Sequence, residues 1–194
     1  MVQTLSKFGV PLGGGDGRGG ILQPKQKHKF RVRFIGFGPI AGGIELTQQI
    51  MTVGKPSVDH EEVIIDSYNS RAKIQGKHTW NAIEVAFRDD VTNSINKLVG
   101  YQEQKQINHF EQTSPLAGIN YKFTMFIEQL DGGNDVVLDQ WVLEGCFLTN
   151  INYDTGDYGT GEVVTITTTI SYDNATHSDG LFPEFPIGIP GVRA

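Results

Sequence analysis

The chain of 194 residues lacks the features that mark secreted, membrane and nucleic-acid-binding proteins. It has one cysteine, Cys146, so no disulfide can form within it, which is typical of a reducing compartment. No apolar run approaches the ~20 residues of a membrane helix, and the N-terminus has no apolar signal segment. With 16 basic and 22 acidic residues, the formal net charge is -6. This charge argues against general affinity for nucleic acid phosphates.

Motifs for catalysis and cofactor binding are also missing. The five histidines are scattered and form no HxH or HxxxH pair, so the sequence does not favour a metal site. Residues 36–43 are rich in glycine, but no βαβ unit follows them, so they predict a turn and not a dinucleotide loop. Cys146 is interpreted as a small buried hydrophobe. We therefore expect no enzyme activity, no metal and no cofactor.

What the sequence does contain is a long β-hairpin, predicted at residues 58–87. On its returning arm, Ile83, Val85 and Phe87 recur with the period of two that marks a strand. The outgoing arm would extend about 36 Å, at roughly 3.3 Å per residue, which is too long for a domain of this size. We therefore expect the tip near Asn69 to project. An isolated two-stranded ribbon is only marginally stable, so the tip requires a partner.

The remaining pattern is rich in strands and has one predicted helix. The helix spans residues 90–110, because Val91, Ile95, Leu98 and Val99 recur at helical spacing. Asp89 and Asp90 would cap its N-terminus. Further strands are predicted at residues 29–37, 46–53, 120–130, 135–150 (with a bend at Gly145) and 162–173. Such a sheet protects its edges by closing into a barrel or by pairing with another chain.

Two segments flank the predicted domain, which covers residues 27–173. Residues 1–26 include seven glycines, which predict a flexible arm. Residues 174–194 contain Pro183, Pro186 and Pro190, which exclude a regular helix or a central strand. This tail is too apolar for a solvated linker, so we expect it to dock on its own domain or on a neighbour.

Three stretches, taken in order, resemble the tail tube proteins of contractile-tailed bacteriophages. They are HTWNAIEVAFRDD at residues 78–90, EGCFLTNINYD at 144–154 and EVVTITTTISYD at 162–173. Leu148 stands where that family usually has proline. With the helix between the first two stretches, the resemblance covers about residues 28–173.

The resemblance implies a β-barrel of two packed antiparallel sheets in a subunit of stacked six-membered rings. Sheets of neighbouring subunits would join into a continuous inner barrel around a lumen. The hairpin base, around Val63, Ile65, Ile83 and Val85, would belong to the barrel. The hairpin tip would contact the next ring through Tyr68, Asn69, Ser70, Arg71, Lys73 and Ile74.

The resemblance also implies a virion protein that assembles in the host cytoplasm. Its partners would be further copies of itself, the tail sheath protein, the tape measure protein, the baseplate and the tail terminator, without membrane insertion. A ring of six would carry 6 × -6 = -36 formal charges, and an acidic lumen would let DNA pass without specific binding. The possible lumen acids are Asp66, Glu84, Asp139 and Glu144.

Two alternatives stay open. The first is a tube protein of a non-viral contractile injection or secretion system, or a tail terminator or baseplate initiator of the same fold. The second is a β-rich enzyme or a carbohydrate-binding module. The second alternative would require converging carboxylates or an exposed aromatic platform, and Trp80 and Trp141 both lie in alternating, core-like strands.

Overall fold

The structure is a computed structural model that describes residues 24–39, 43–133 and 136–179. Most of the predicted Gly-rich arm and residues 180–194 of the predicted tail lie outside these ranges. The described part is mainly β. Its elements are β1 (Phe30–Ile35), α1 (Gly43–Gln49), β2 (Ile50–Val53), β3 (Ser57–Ser67), β4 (Ser70–Asn81), β5 (Ile83–Arg88), α2 (Ser94–Gln106), β6 (Phe123–Leu130), β7 (Val137–Asn152), β8 (Thr165–Ser171) and β9 (Asn174–Asp179).

The longest strand, β7, belongs to two sheets. Its first half pairs with β6 and β9, and its second half pairs with β8. Gly145 lies where β7 passes from one sheet to the other, and its φ is +68°. A residue with a side chain disfavours this conformation, so the glycine permits the bend that the sequence predicts here.

The two sheets form one antiparallel path with the strand order β1-β6-β7-β8-β5-β2. The path is open in the described part of the chain, because β1 and β2 at its ends do not pair with each other. The prediction of a mainly β, antiparallel fold is therefore confirmed. The barrel is not, since no closed barrel is found among the described residues.

The core lies between the two sheets. The rings of Phe34 in β1 and Phe87 in β5 are 6.1 Å apart, although these strands lie far apart along the path. This contact shows that the sheets pack face to face. The core also contains the alternating side chains predicted for β6, Phe123, Met125 and Ile127, each nearly inaccessible to solvent.

Helix α2 covers one end of the core and is shorter than the prediction of residues 90–110. Ile95, Leu98 and Val99 are buried as predicted, whereas Val91 precedes the helix and is fully exposed. The carboxylate of Asp90 accepts a hydrogen bond from the backbone N–H of Ser94 at 2.8 Å. This bond holds the pKa of Asp90 below its usual value. The N-cap position itself is Asn93, so the prediction that Asp89 and Asp90 cap the helix is wrong in position. Asp90 supports the helix start from three residues before the N-cap, whereas Asp89 accepts a hydrogen bond from the N–H of Asp90 and not from the helix.

The predicted strand at residues 46–53 is wrong over its first half. Residues 46–49 belong to the helix α1, and only Ile50–Val53 forms a strand. Leu46 of α1 is fully buried and belongs to the hydrophobic core. Leucine and glutamine are also good helix formers, so local propensity favours the helix.

Two further boundaries differ from the prediction. The last predicted strand begins at Thr165 and not at residue 162, which leaves Val164 about half exposed. Residues 174–179, which the sequence assigns to the tail, form β9 and pair with β7. None of the described helices is long and apolar enough to cross a membrane.

Candidate assembly surfaces

The hairpin β3–β4 forms a sheet of its own. The two strands pair from Ser57–Asn81 to Ser67–Ser70, with a single bulge after His60, and neither strand pairs with the larger sheet. The 11 residues of β3 extend about 36 Å at roughly 3.3 Å per residue. Almost every side chain of the hairpin is exposed. The predicted projection of the hairpin is thus present in the structure.

The returning arm is not one strand, which changes the predicted hairpin base. The arm breaks at Ala82, and β5 joins the large sheet between β2 and β8. Ile83 and Val85 are therefore buried, as predicted. The prediction is wrong for Val63 and Ile65, which lie on the projecting ribbon. Their alternation with polar residues reflects the two faces of the ribbon and not burial in the domain.

One face of the hairpin is apolar and has no partner among the described residues. Val63 lies opposite Ile74, and Ile65 lies opposite Ala72, and residues two apart share a face. The side chains of Val63, Ile65 and Ile74 are 44%, 48% and 52% exposed. We call Val63, Ile65, Ala72 and Ile74 the apolar hairpin face. A contiguous exposed apolar patch of this kind is typical of an interaction surface.

The opposite face of the hairpin carries two ion pairs. Arg71 pairs with Asp66, and Lys73 pairs with Glu62, each at 2.7 Å. Exposed pairs of this kind contribute about 0–1 kcal/mol, so their main effect is to favour this strand register. The two-residue turn consists of Tyr68 and Asn69, with the Tyr68 side chain fully exposed. All six predicted tip residues therefore lie on the outer part of the ribbon.

The structure does not bring the four predicted lumen acids together. Asp66 lies on the hairpin and is paired with Arg71. Asp139 is mostly buried, contacts the ring of His177 and lies 3.4 Å from the Lys25 ammonium group. Glu84 in β5 and Glu144 in β7 are both exposed, but on different sheets.

The solvent face that includes Glu84 is mostly neutral and polar. On β8 it presents Thr165, Thr167 and Thr169, the residues predicted to face away from the core. Glu84 lies opposite Thr169, and Arg88 lies opposite Thr165. The one acidic and the one basic residue of β5 therefore give this face no net charge from that strand. The sequence predicts the threonine face but not this charge balance, which depends on strand pairing.

The side chains of two glutamines in α2 form hydrogen bonds to backbone groups outside the helix. No pattern in the sequence predicts these bonds. Gln102 is fully buried; its side chain accepts from the N–H of Gly38 at 3.0 Å and donates to the carbonyl of Tyr121 at 2.6 Å. Gln106 binds both backbone groups of Leu148, accepting from its N–H at 2.8 Å and donating to its carbonyl at 2.9 Å. A proline at 148 could not donate the first bond.

A second group of exposed apolar side chains lies in the loop between α2 and β6. Its members are Phe110, Leu116 and Ile119. Large apolar side chains exposed this fully are a second candidate contact surface.

The described residues hold no arrangement that suggests catalysis. No group of three or more His, Cys, Asp or Glu side chains in this part of the chain could hold a metal ion. Cys146 is fully buried, and this burial raises the pKa of its thiol to about 12. The thiol is therefore protonated at neutral pH and is not a nucleophile there.

Comparison with solved structures finds a similar fold in tube and tube-terminator proteins of contractile injection systems and phage tails. No protein-family model and no curated protein matches the chain. The tube-terminating cap of the anti-feeding prophage is similar with a TM-score of 0.62 and 14% identity, over 82% of this chain and 93% of the cap protein.

Two further structures show the same fold. The tail tube protein of phage SPP1 has a TM-score of 0.55 and 15% identity, over 83% of this chain and 84% of that protein. A chain of the sheath-tube complex of the extracellular contractile injection system PVC also has a TM-score of 0.55, with 16% identity, over 80% of this chain and 92% of that one. Identities this low establish the shared fold alone.

Proposed function

We propose that this chain is a structural tube subunit of a phage tail or another contractile injection system, and that its rings stack through the hairpin β3–β4. The observation that carries the proposal is the apolar hairpin face, which has no partner among the described residues of its own subunit. The shared fold with tube and terminator proteins supports the same role. The role is mechanical and requires no active site.

The more specific form of this proposal is a phage tail tube of six-membered rings. The edge strands β1 and β2 support it, because each has one free edge among the described residues where a neighbouring subunit could pair. Pairing of this kind would continue the sheet around a ring. A sheath around the tube, and a tape measure protein, baseplate and terminator along it, belong to the same proposal.

We assign the threonine face of β5 and β8 to the lumen. This face offers hydroxyl groups, one acid (Glu84) and one base (Arg88) at opposite ends of β5, and β5 and β8 carry no cluster of cations on it that would hold a phosphate backbone. DNA could therefore slide past without specific binding. Of the four predicted lumen acids, Glu84 alone remains a candidate on this face. The -36 charges of a ring would repel DNA as a whole rather than through a row of lumen acids.

The experiment replaces the projecting ribbon and leaves the domain intact. His60 and His78 are opposite each other, so residues 61–77 can be replaced by Asn-Gly, which closes a two-residue hairpin turn. We expect the full chain to form long tubes in negative-stain electron microscopy. The shortened chain should fold, with an unchanged melting temperature, but form no tubes. Tubes formed by the shortened chain would contradict the stacking role.

A terminator role is the second candidate, favoured by the similarity to the anti-feeding prophage cap. A terminator must end the polymer, so the full chain would form single rings and never long tubes. The same micrographs therefore separate the two roles.

A further inference from the structure

A cleft of about 950 Å³ opens between the edge strand β2 and the sheet that contains β1, β6 and β7. Its apolar walls consist of Phe30, Ile50, Val53, Ile127 and Trp141. All of these except Ile127 are partly buried side chains that pack against the outside of the core. The cleft is therefore an extension of the core that the described residues leave open to solvent.

The rim of the cleft is positively charged. Lys25, Lys27, Lys55 and Arg88 line it, and Asp139 is the one acidic side chain among its described lining residues. Asp139 is already paired with Lys25 at 3.4 Å. The other three cations form no ion pair within the described ranges. An occupant that fits this cleft is apolar and carries a negative charge.

Strand β9 ends beside this cleft. Asp179, the last residue of β9, lies opposite Asp139 of the cleft lining. Residues 181–189 then read LFPEFPIGI, with five large apolar side chains and one acid, Glu184. Their prolines favour the extended polyproline II conformation, and segments of this kind bind in grooves lined by aromatic side chains.

We propose that residues 181–189 bind in the cleft of their own subunit. Phe182 and Phe185 pack against Phe30 and Trp141, and Glu184 lies among the rim cations. The short connection from β9 keeps the segment at a local concentration in the millimolar range, so binding within one chain is favoured over binding between chains. Nine residues at about 3.1 Å per residue extend about 28 Å, enough to follow the cleft between the sheets.

The first test places a photo-reactive benzoylphenylalanine at position 185 of the full-length chain. After irradiation, we expect crosslinks to peptides that contain residues 25–30, 50–55 or 139–141, within a band of monomer size on a denaturing gel. The matched control has the same group at Phe110, which is exposed and does not line the cleft; it should not label these peptides. A crosslinked dimer, or crosslinks that map elsewhere, would overturn the proposal.

The second test measures how accessible Trp141 in the cleft is to solvent, through the quenching of its fluorescence. The chain has two tryptophans, so Trp80→Phe leaves Trp141 as the single reporter. In that background, changing Phe182 and Phe185 to serine should raise acrylamide quenching of Trp141 toward that of free indole. The control Phe110→Ser should leave quenching unchanged. Equal quenching in all three proteins would show that the segment does not cover Trp141.

A charge reversal on the rim tests the role assigned to Glu184. In the same reporter background, Lys55→Glu should raise the quenching of Trp141, because it repels the acid of the bound segment. The matched control Lys77→Glu changes an exposed lysine on the hairpin, outside the cleft lining. Quenching that rises equally in both variants would refute a specific contact with the rim.

Discussion

Replacing Ile74 by serine should separate assembly from folding. Ile74 is 52% exposed, so about half of its side chain remains to be buried in an interface. Full burial of an isoleucine contributes about 1.5–3 kcal/mol, so the loss is about 1 kcal/mol per contact. If six contacts form when two rings stack, the total is about 6 kcal/mol, or about four orders of magnitude in ring–ring affinity. The free energy of unfolding should change by less than about 0.5 kcal/mol, because the residue contacts no core.

The assay compares the protein concentration at which tubes first appear in sedimentation and electron microscopy with the midpoint of urea unfolding. Lys77→Ser is the control, because it changes an exposed residue of the same strand outside the apolar hairpin face. We expect the Ile74 variant to fold normally and to form tubes only at far higher concentration. Tubes that appear at the wild-type concentration would show that the apolar hairpin face is not part of the stacking contact.

Four further predictions concern the fold. Gly145→Ala should destabilise the fold by about 1–3 kcal/mol or more, because this position has a left-handed backbone and a new Cβ would clash with the carboxylate of Asp173. Gly100→Ala, with no atom within 4 Å of a new Cβ in α2, should stabilise the fold by about 0.5–1 kcal/mol in the same urea titrations. Gln106→Ala should reduce the free energy of unfolding by about 1–3 kcal/mol, since both backbone groups of the buried Leu148 lose these partners; an unchanged urea midpoint would refute this. Cys146, with its pKa raised to about 12 by burial, should resist iodoacetamide at pH 8 in the folded chain and react in urea; fast labelling of the folded chain would contradict its burial.

The sequence predicted the elements whose pattern is set locally. Alternation identified β6 and β8, and helical spacing identified the buried face of α2. The break at Ala82 could not be found in this way, because β4 and β5 are continuous in sequence and differ only in the strands with which they pair. For the same reason, alternation could not show that Val63 and Ile65 are exposed. The sequence could not show that Asp139 is mostly buried, because Asp139 in β7 contacts His177 in β9, and no local pattern indicates that these strands pair.

In the proposed assembly, folding of the domain and stacking of rings depend on different parts of the chain. The core binds the two sheets and α2 together, whereas the hairpin contributes pairing between its own strands and, at its base, the packing of Trp80 against the core. Mutations in the apolar hairpin face can therefore change assembly without unfolding the domain. The free edges of β1 and β2 are different, because β1 carries the core residues Val32 and Phe34, and Ile50 and Val53 of β2 pack against the core. Ring closure through those edges would therefore be coupled to the stability of the subunit, and ring stacking through the hairpin would not.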